Sequence, residues 1–340
     1  MKRKLNLSLD EEIVVDLKEL AKNDHKTVSQ WVTDAVMQKL KEQSQQSSQS
    51  CLNNKKQNSY IKSPMNYIGG KFKLLPQIIP LFPQNIDTMM DLFCGGCDVV
   101  ANVIATKKYA NDINYFVIDI FKYFQSKDID ILLNEIDSLI AQYDLSKTNK
   151  DGYLALREHY NNSDEKNPIE LFTLVCYSFN YQFRFNSNHE YNNPFGKDRS
   201  CFSECMRKNL IKFWAEIKDV EYSSKNFKDI DLSLLKGNSF LYADPPYRIT
   251  TGSYNDGKRG FEGWGLDDDL SLFALLDEAD KKGIKFAMSN VIRHKGIENS
   301  ELIEWAKKYN VHYLNFDYSN SNYHSKNTDK ETVEVLITNY

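Results

Sequence analysis

The 340-residue sequence has no long apolar run. A membrane-spanning helix needs roughly 18 to 20 consecutive apolar residues, and no stretch approaches that length. The first twelve residues, MKRKLNLSLDEE, also lack the apolar core of a secretory signal. Together with a hydrophobic content of 41% and a charged content of 26%, these absences predict a soluble, cytoplasmic, globular protein with no membrane partner.

The sequence also lacks the spacings that bind metals or build disulfide frameworks. Its six histidines form no H-x-x-x-H or H-E-x-x-H pattern, so no metal site is predicted. Its six cysteines follow no regular spacing, and free thiols are expected in the cytoplasm. The net charge of −4 gives no whole-chain indication of nucleic acid. A nucleic-acid partner must therefore be inferred from local patches.

One pair of cysteines allows two interpretations. Cys94 and Cys97 stand in DLFCGGCDVV (91–100) as C-x-x-C, a spacing found in zinc and redox sites. Gly95 and Gly96, directly after an apolar run, indicate instead a tight loop that lets a cofactor approach the backbone. No second cysteine or histidine pair lies at ligand spacing, which favours the cofactor loop.

Residues 1–43 are predicted to form a small separate module. Lys4, Asn6 and Ser8 alternate with leucines, as in a strand with one polar face, and two amphipathic helices follow. So short a module needs to dimerise to be stable. The pattern resembles the ribbon-helix-helix family, which implies that Lys4, Asn6 and Ser8 face DNA bases. A dimerising module without DNA contact is the alternative. Residues 44–60, rich in Gln, Ser and Asn, are predicted to be a flexible linker.

Residues 61–340 show apolar strands separated by amphipathic helices. Strands are predicted at 87–93, 107–113, 238–244, 283–289, 311–318 and 332–338, and helices, for example, at 97–106, 113–125 and 267–282. This alternation predicts an α/β sheet wound on both faces. Residues 145–235 interrupt it with helical, loop-rich and aromatic sequence, which indicates an insertion that carries specificity.

Three predicted strands end in loops of unusual composition. FCGGCD follows the first strand, NDIN follows the second, and YADPPY follows a strand beyond the insertion. Ligands of open α/β sheets bind at such carboxyl ends. Asp112 lies about 20 residues past the glycine loop, a spacing suited to binding ribose hydroxyls. Each loop alone is an ordinary turn, but their occurrence on successive strand ends predicts a binding site.

The loop Asp244-Pro245-Pro246-Tyr247 is the most specific of the three. Neither proline has an N–H to donate. The Asp244 carboxylate and the Pro245 carbonyl therefore form a surface that only accepts hydrogen bonds. Such a surface suits a primary amine, and the Tyr247 ring offers a flat face for a planar base.

With these motifs the chain resembles the Dam-like, D12 class of DNA adenine-N6 methyltransferases, over roughly residues 62–340. The matching motifs, in order, are PMNYIGGKFKLL (64–75), DLFCGG, NDIN, FNYQFRFNSNHEYNNPFG (179–196), DPPY and VEVLITNY. The resemblance implies an α/β, class I (Rossmann-like) S-adenosylmethionine-dependent methyltransferase sheet with a helical target-recognition insertion. It also implies methyl transfer to N6 of adenine in double-stranded DNA.

The resemblance further implies the residues that hold the cofactor and the base. Those implied to bind S-adenosyl-L-methionine are Tyr67, Lys71, Phe93, Gly95, Asp112 and Asp244. Asp112 is implied on the ribose hydroxyls, and Asp244 on the methionine amino group. Those implied in catalysis are Asp244, Pro245, Pro246 and Tyr247. Asp244 and the Pro245 carbonyl would hold N6, and Tyr247 would stack on an adenine flipped out of the duplex.

Basic and amide residues give candidates for DNA contact. Arg184 and Asn186 are candidate base readers, with an internal hydrogen bond as the alternative for each. Residues 181–212 carry six Lys/Arg against three acids, which predicts contact with the DNA backbone. Lys258 and Arg259, after DPPY, are candidates for phosphate contacts, with a solvated loop as the alternative.

Three functions remain open on the sequence. The first is a site-specific DNA adenine methyltransferase in a restriction-modification or phage setting, with a restriction endonuclease as partner and autoregulation by the N-terminal module. The second is a DNA-binding transcriptional regulator with a vestigial methyltransferase domain, which the intact Lys71, Asp112 and Asp244 disfavour. The third is methylation of another amine. Cytosine and protein-glutamine enzymes usually begin the tetrapeptide with Ser and Asn, so Asp244 disfavours it.

Overall fold

The computed structural model describes residues 21–22, 26–28, 30–31, 60–250, 263–314 and 332–340. The chain divides into two compact units, Met1–Ser59 and Tyr60–Tyr340. None of the described helices is both long and apolar enough to cross a membrane.

In the first unit, the described residues include the start of a helix. The Thr27 hydroxyl accepts the backbone N–H of Gln30 at 3.3 Å, which is the contact that an N-cap side chain makes. The strand that carries Lys4, Asn6 and Ser8 lies outside the described residues, as does the linker up to residue 59. The ribbon-helix-helix module therefore stays a prediction.

In the second unit, eight strands within the described ranges form one mixed sheet. Their bounds are β1 Ile86–Asp91, β2 Ala105–Asn111, β3 Val220–Ser223, β4 Ser239–Ala243, β5 Lys285–His294, β6 Ile297–Glu298, β7 Asn310–Leu314 and β8 Thr332–Thr338. The order across the sheet is β3-β2-β1-β4-β5-β8-β7, and β6 pairs with the end of β5. The strands from β3 to β5 in this order run parallel. In contrast, β8 is antiparallel to both of its neighbours.

Both faces of the sheet are buried. Side chains alternate between the faces along a strand. In β4, Phe240 and Tyr242 join one apolar cluster, and Leu241 and Ala243 join the other. Strands β5 and β8 alternate between the same two clusters, and β1 contributes side chains to both. A sheet covered on both faces confirms the prediction made from the alternation of strands and helices.

The helices are divided unequally between these two faces. Their bounds are α1 Leu75–Ile78, α2 Tyr115–Gln125, α3 Ile129–Gln142, α4 Lys150–Asn162, α5 Pro168–Tyr177, α6 Glu204–Ile217, α7 Leu266–Lys281 and α8 Ser300–Ala306. Helices α1 to α6 bury side chains in the larger cluster, whereas α7 and α8 bury theirs in the other. All residues of α5 after its first are buried, so this helix lies inside the helical layer.

Two local predictions are wrong. Residues 97–106 do not form a helix but a run of turns that leads into β2 at Ala105. Strand β2 already begins at Ala105 to pair with β1, so the predicted helix cannot extend to residue 106. Residues 220–223, which the sequence assigned to the helical insertion, form β3 and extend the sheet beside β2. The sequence VEYS is too short and too polar to indicate a strand.

Candidate active site

The polar loops predicted from the sequence meet at one edge of the sheet. Strands β1, β2 and β4 are parallel neighbours, so their carboxyl ends lie side by side. A cavity of about 650 Å³ opens there, within the size range of small-molecule sites. It is bordered by residues 67–71, the glycine loop after β1, the tip of β2 and the DPPY loop after β4.

Gly95 occupies a position in the glycine loop where a side chain does not fit. Its φ is +46°, in the left-handed region that favours glycine. A Cβ at this position would lie 2.9 Å from Cδ1 of Tyr67, closer than real contacts allow. The Tyr67 ring therefore lies directly against the loop backbone. Both residues border the cavity.

Asp112 joins the glycine loop to the tip of β2. One carboxylate oxygen accepts the N–H of Gly95 and the other accepts the N–H of Asn114, each at 2.9 Å. The Asn114 side chain in turn donates to the Tyr67 hydroxyl at 3.2 Å. Asp112 thus orients three parts of the cavity wall at once. Asp112 and Tyr67 were predicted from the sequence, whereas Asn114, in the same NDIN motif as Asp112, was not.

The two cysteines of the C-x-x-C spacing are core residues. Cys97 has a φ of +63°, a backbone conformation usual for glycine, and its thiol faces the Tyr222 hydroxyl at 3.8 Å. Burial raises the pKa of the Cys94 thiol well above its ordinary value. A protonated, buried thiol is a poor metal ligand and a poor redox nucleophile. This environment favours the cofactor-loop interpretation of the stretch.

Asp244 lies at the cavity edge, directly after the fully buried β4. Its Oδ2 is 2.7 Å from the ammonium of Lys71, and its Oδ1 accepts the Tyr247 hydroxyl at 2.9 Å. Burial raises the pKa of Asp244, whereas Lys71 opposes that shift. Pro245 is buried and Pro246 is partly exposed beside it. The predicted catalytic residues are thus held as one unit at the cavity.

Lys71 is the central cation of this unit. It is 6% exposed and lies 2.7 Å from Asp244. Its ammonium also donates to the Gly69 carbonyl at 3.0 Å and lies 4.9 Å from the centre of the Tyr247 ring. These contacts fix Asp244 through Lys71. A cofactor contact by Lys71, implied by the family resemblance, stays a prediction.

Glu334 is a member of this unit that the sequence analysis missed. It lies on β8, is 4% exposed, and accepts the Tyr247 hydroxyl at 2.9 Å. Its Oε1 is 3.7 Å from the Lys71 ammonium. The signal in the sequence that indicated Glu334 was a single acid inside the apolar strand TVEVLIT. A buried carboxylate in a strand needs a specific partner.

Asp91 is a second missed acid, at the end of β1. It is 1% exposed, and its Oδ1 accepts the N–H of Phe93 at 3.2 Å. Burial raises the pKa of Asp91 well above its ordinary value, and the charges of Asp244 and Asp112 raise it further. Asp91 therefore adds a further carboxyl group to the border of the cavity, near Asp244 and Asp112.

Aromatic side chains form another part of the cavity wall. Phe93 packs edge-on against Trp264, with ring centres 5.5 Å apart, and lies 5.4 Å from the Phe227 ring. The Trp264 indole N–H donates to Asp269 at 2.7 Å, which fixes the ring. Phe93 was predicted at the pocket, whereas the other two aromatic residues were not.

Arg248 anchors the chain directly after the DPPY loop. Its Nε donates to Asp269 at 2.9 Å, and one Nη donates to Asn299 at 2.7 Å and to Glu301 at 2.5 Å. These partners belong to α7 and to the start of α8. An arginine bound on several sides is a rigid support. Asp269 therefore holds both Arg248 and the Trp264 indole from the start of α7.

The predicted DNA-contact residues have different surroundings. Arg184 is exposed, and its guanidinium makes no ion pair with the residues that the structure describes. The Asn186 side chain donates to Glu190 at 2.6 Å and accepts two backbone N–H groups, which is the internal bonding given as its alternative. Lys258 and Arg259 lie outside the described residues.

Most of the predicted basic surface in 181–212 is exposed. Five of its basic side chains are exposed to solvent, namely Arg184, Lys197, Arg199, Lys208 and Lys212. The sixth, Arg207, forms ion pairs with Asp137 and Glu204. Exposed cations of this kind are available to phosphates.

Comparisons with known proteins show which proteins this chain resembles. The chain is 50% identical over 287 residues to the type II methyltransferase M.FokI of Planomicrobium okeanokoites, covering 84% of this chain and 44% of that protein. It is 50% identical over 285 residues to the modification methylase StsI of Streptococcus sanguinis, covering 83% and 43%. It is 35% identical over 280 residues to the modification methylase LlaI of Lactococcus lactis subsp. lactis, covering 82% and 43%.

The chain thus spans less than half the length of these relatives. A model of the D12 class N6 adenine-specific DNA methyltransferases matches residues 67–320, which include the glycine loop, Asp112 and the DPPY loop. This match covers most of the chain. The chain belongs to the D12 class of N6 adenine-specific DNA methyltransferases.

Proposed function

We propose that this protein transfers the methyl group of S-adenosyl-L-methionine to N6 of adenine at a specific site in double-stranded DNA, as part of a restriction-modification system. The observation that carries the proposal is the Asp244 carboxylate, presented beside Pro245 at the cavity and held by Lys71 at 2.7 Å. Membership of the D12 class supports this activity. The names of M.FokI, StsI and LlaI as methyltransferases or modification methylases support the setting.

We assign the sheet to the class I, Rossmann-like methyltransferase fold. The support is its order, in which five parallel strands are followed by β8, which is antiparallel to both of its neighbours, and by β7 at the edge. Residues 61–340 would be the methyltransferase domain, and the target-recognition insertion predicted at 145–235 would end before β3, which belongs to the sheet. Helices α4, α5 and α6 lie within that insertion.

The chemistry of the cavity fits S-adenosylmethionine. The cofactor carries a cationic sulfonium and a cationic amino group, and several carboxyl groups border the cavity, among them those of Asp91, Asp112 and Asp244. Opposite charge and hydrogen bonding suit such a ligand. When bound, the cofactor supplies an electrophilic methyl group.

The other residues proposed to bind the cofactor lie in the walls of the cavity. Tyr67 and Phe93 offer ring surfaces for the adenine of the cofactor, and the bare backbone of Gly95 leaves room beside them. Asp112 would accept from the ribose hydroxyls with the lone pairs that its two backbone contacts leave. Lys71 would contact the methionine end and hold Asp244 toward it.

Catalysis would depend on positioning and on electrostatics. Asp244 and the Pro245 carbonyl accept the two N–H groups of the target amine, which turns the nitrogen lone pair toward the methyl group. Tyr247 offers its ring to the base, which must leave the duplex to reach the cavity. Burial raises the pKa of Tyr247 well above its ordinary value, so its hydroxyl stays protonated.

DNA contact would come from several parts of the chain. The exposed Arg184 is a candidate base reader, and the other exposed basic residues of 181–212 are candidates for the phosphate backbone. Asn186 would have to exchange its internal hydrogen bonds for a base. Lys258 and Arg259 after the DPPY loop, and Lys4, Asn6 and Ser8 in the N-terminal module, complete the proposed contacts. That module would dimerise and regulate the promoter of its own gene, and a restriction endonuclease would act at the same DNA site.

Methyl transfer to plasmid DNA in vitro tests the proposed activity. The purified protein is incubated with duplex DNA and S-adenosylmethionine that carries a tritiated methyl group, and the DNA is then digested to nucleosides. The expected product is labelled N6-methyladenine, and an Asp244→Asn variant should produce none. Label in cytosine, or no label with DNA of diverse sequence, would contradict the proposal.

A further inference from the structure

A single hydroxyl lies between two carboxylates beside the cavity. The Tyr247 oxygen is 2.9 Å from Asp244 Oδ1 and 2.9 Å from Glu334 Oε1. A phenol has one proton to donate, and an ionised carboxylate can only accept. The hydroxyl can therefore donate fully to only one of the two acids at a time. With its proton directed at Glu334, the phenol oxygen presents a lone pair to Asp244.

The charges of this group are unequal. Lys71 is its cation, whereas Asp244 and Glu334 are both acids on nearly buried side chains. The ammonium lies 2.7 Å from Asp244 but 3.7 Å from Glu334. A proton added to Asp244 would therefore weaken the shorter ion pair.

We propose that Glu334 receives, through the Tyr247 hydroxyl, the proton that the target amine must lose when it is methylated. This inference rests on the proposed function. The N–C bond forms as the S–C bond of the sulfonium donor breaks, and the amine nitrogen is left with a positive charge. The nitrogen then gives one proton to Asp244. Asp244 passes a proton to the Tyr247 oxygen, and the proton of Tyr247 moves to Glu334. The base ends neutral, and Glu334 ends protonated.

The surroundings of Tyr247 favour a relay over a stable tyrosinate. Burial raises the pKa of the Tyr247 phenol well above its ordinary value, and both neighbouring carboxylates raise it further. The phenol therefore gives up its proton only as it receives another. Burial also raises the pKa of Asp244, which makes this carboxylate a better proton acceptor than an exposed one.

Three variants separate this relay from a supporting role of Glu334. Glu334→Gln keeps the side-chain shape and an acceptor for the phenol but takes up no proton. Tyr247→Phe keeps the ring and removes the relay hydroxyl. We expect each variant to slow single-turnover methyl transfer by about 100-fold, the lower end of what proton transfer contributes. The double variant should be no slower than either single one, because both changes break the same relay.

The controls address folding and binding. Glu304→Gln changes an exposed carboxylate that is paired only with Lys307 in the described part of the chain, and it should leave the rate unchanged. Dissociation constants for duplex DNA and for S-adenosylmethionine should change by less than about 3-fold in all variants. Wild-type rates in Glu334→Gln, or losses that multiply in the double variant, would overturn the relay. If Glu334→Gln does not fold, the test depends on Tyr247→Phe alone. A wild-type rate of methyl transfer in Tyr247→Phe would then overturn the relay.

Infrared spectroscopy gives a readout that does not depend on the rate. During a single turnover, the wild-type protein should gain the C=O band of a protonated carboxyl group in step with methyl transfer. In Glu334→Gln and in Tyr247→Phe the proton stays on Asp244, so the band should lie at a different frequency from the wild-type band. A band of unchanged frequency in Glu334→Gln, or no band in the wild type, would overturn the proposal. If the wild-type protein transfers no methyl group at all, the proposed function fails first, and the two failures remain distinguishable.

Discussion

Replacement of Gly95 by alanine tests the construction of the glycine loop. Gly95 has a φ of +46°, and its missing Cβ would lie 2.9 Å from the Tyr67 ring. An alanine there pays a cost of about 1–2 kcal/mol for the left-handed backbone. It also has to displace the Tyr67 ring, and overpacking of this kind typically costs about 1–3 kcal/mol. We therefore expect Gly95→Ala to lower the free energy of unfolding by about 2–5 kcal/mol.

Gly283 supplies a matched control. It connects α7 to β5 with a φ of +73°, and nothing lies within 4 Å of its hypothetical Cβ. Gly283→Ala therefore pays the backbone cost of about 1–2 kcal/mol without a steric clash. The difference between the two variants isolates the contact with Tyr67.

The assays are urea unfolding and calorimetric titration with S-adenosylmethionine. A displaced Tyr67 ring should weaken binding of the cofactor at least about 10-fold in Gly95→Ala, equivalent to about 1.4 kcal/mol. Gly283→Ala should bind the cofactor as the wild type does. Equal affinities in the two variants would refute the reasoning, as would equal losses of stability, because either result would mean that Tyr67 does not limit this position.

Three further predictions concern the charged groups. Burial raises the pKa of Asp98 from 3.8 to about 6, so the folded state binds a proton that the unfolded state has lost. The free energy of unfolding should therefore fall by about 3 kcal/mol as the pH rises from about 4 to about 6. Asp98→Asn should remove this fall in urea titrations, and a fall that persists would contradict the assignment. Lys71→Met removes the ammonium that lowers the pKa of Asp244, so Asp244 should protonate at higher pH. The acid limb of the methylation rate should then move upward, and an unmoved limb would exclude this role. Arg248→Lys loses the forked contacts behind the DPPY loop, so kcat should fall about 10-fold with little change in cofactor affinity; an unchanged kcat would show that the clamp is dispensable.

The parts of the site that the sequence predicted are short segments at strand ends. Gly95, Asp112 and the DPPY loop each follow a recognisable strand, and parallel neighbouring strands bring their carboxyl ends together. The fold class followed in the same way from the alternation of strands and helices. Local sequence was sufficient here because each motif is complete within a few residues.

The missed residues depend on contacts between distant parts of the chain. Glu334 lies 87 residues after Tyr247, and only the place of β8 in the sheet brings them within 2.9 Å. The partners of Arg248 are 21 to 53 residues away, on two different helices. No local pattern encodes such pairings. A lone acid in an apolar strand is the available hint, and it does not name the partner.

The wrong helix at 97–106 has a local cause. Its apolar residues include Val99, Val100 and Val103, which are buried as helical spacing would require. Tertiary structure limits the length, however, because β2 begins at Ala105 to pair with β1. The segment can therefore form only turns. The burial of these valines was predicted correctly, but their backbone conformation was not, because it depends on where β2 begins in the sheet.

The most direct test of the central claim is a map of N6-methyladenine in the DNA of a host that lacks adenine methylation of its own. The protein is expressed there, and the DNA is read by modification-sensitive sequencing. Expression should place N6-methyladenine at nearly every copy of one short DNA motif, and an Asp244→Ala variant should leave that motif unmodified. The absence of any modified motif with the unaltered protein, or a signal that persists in the variant, would contradict the claim.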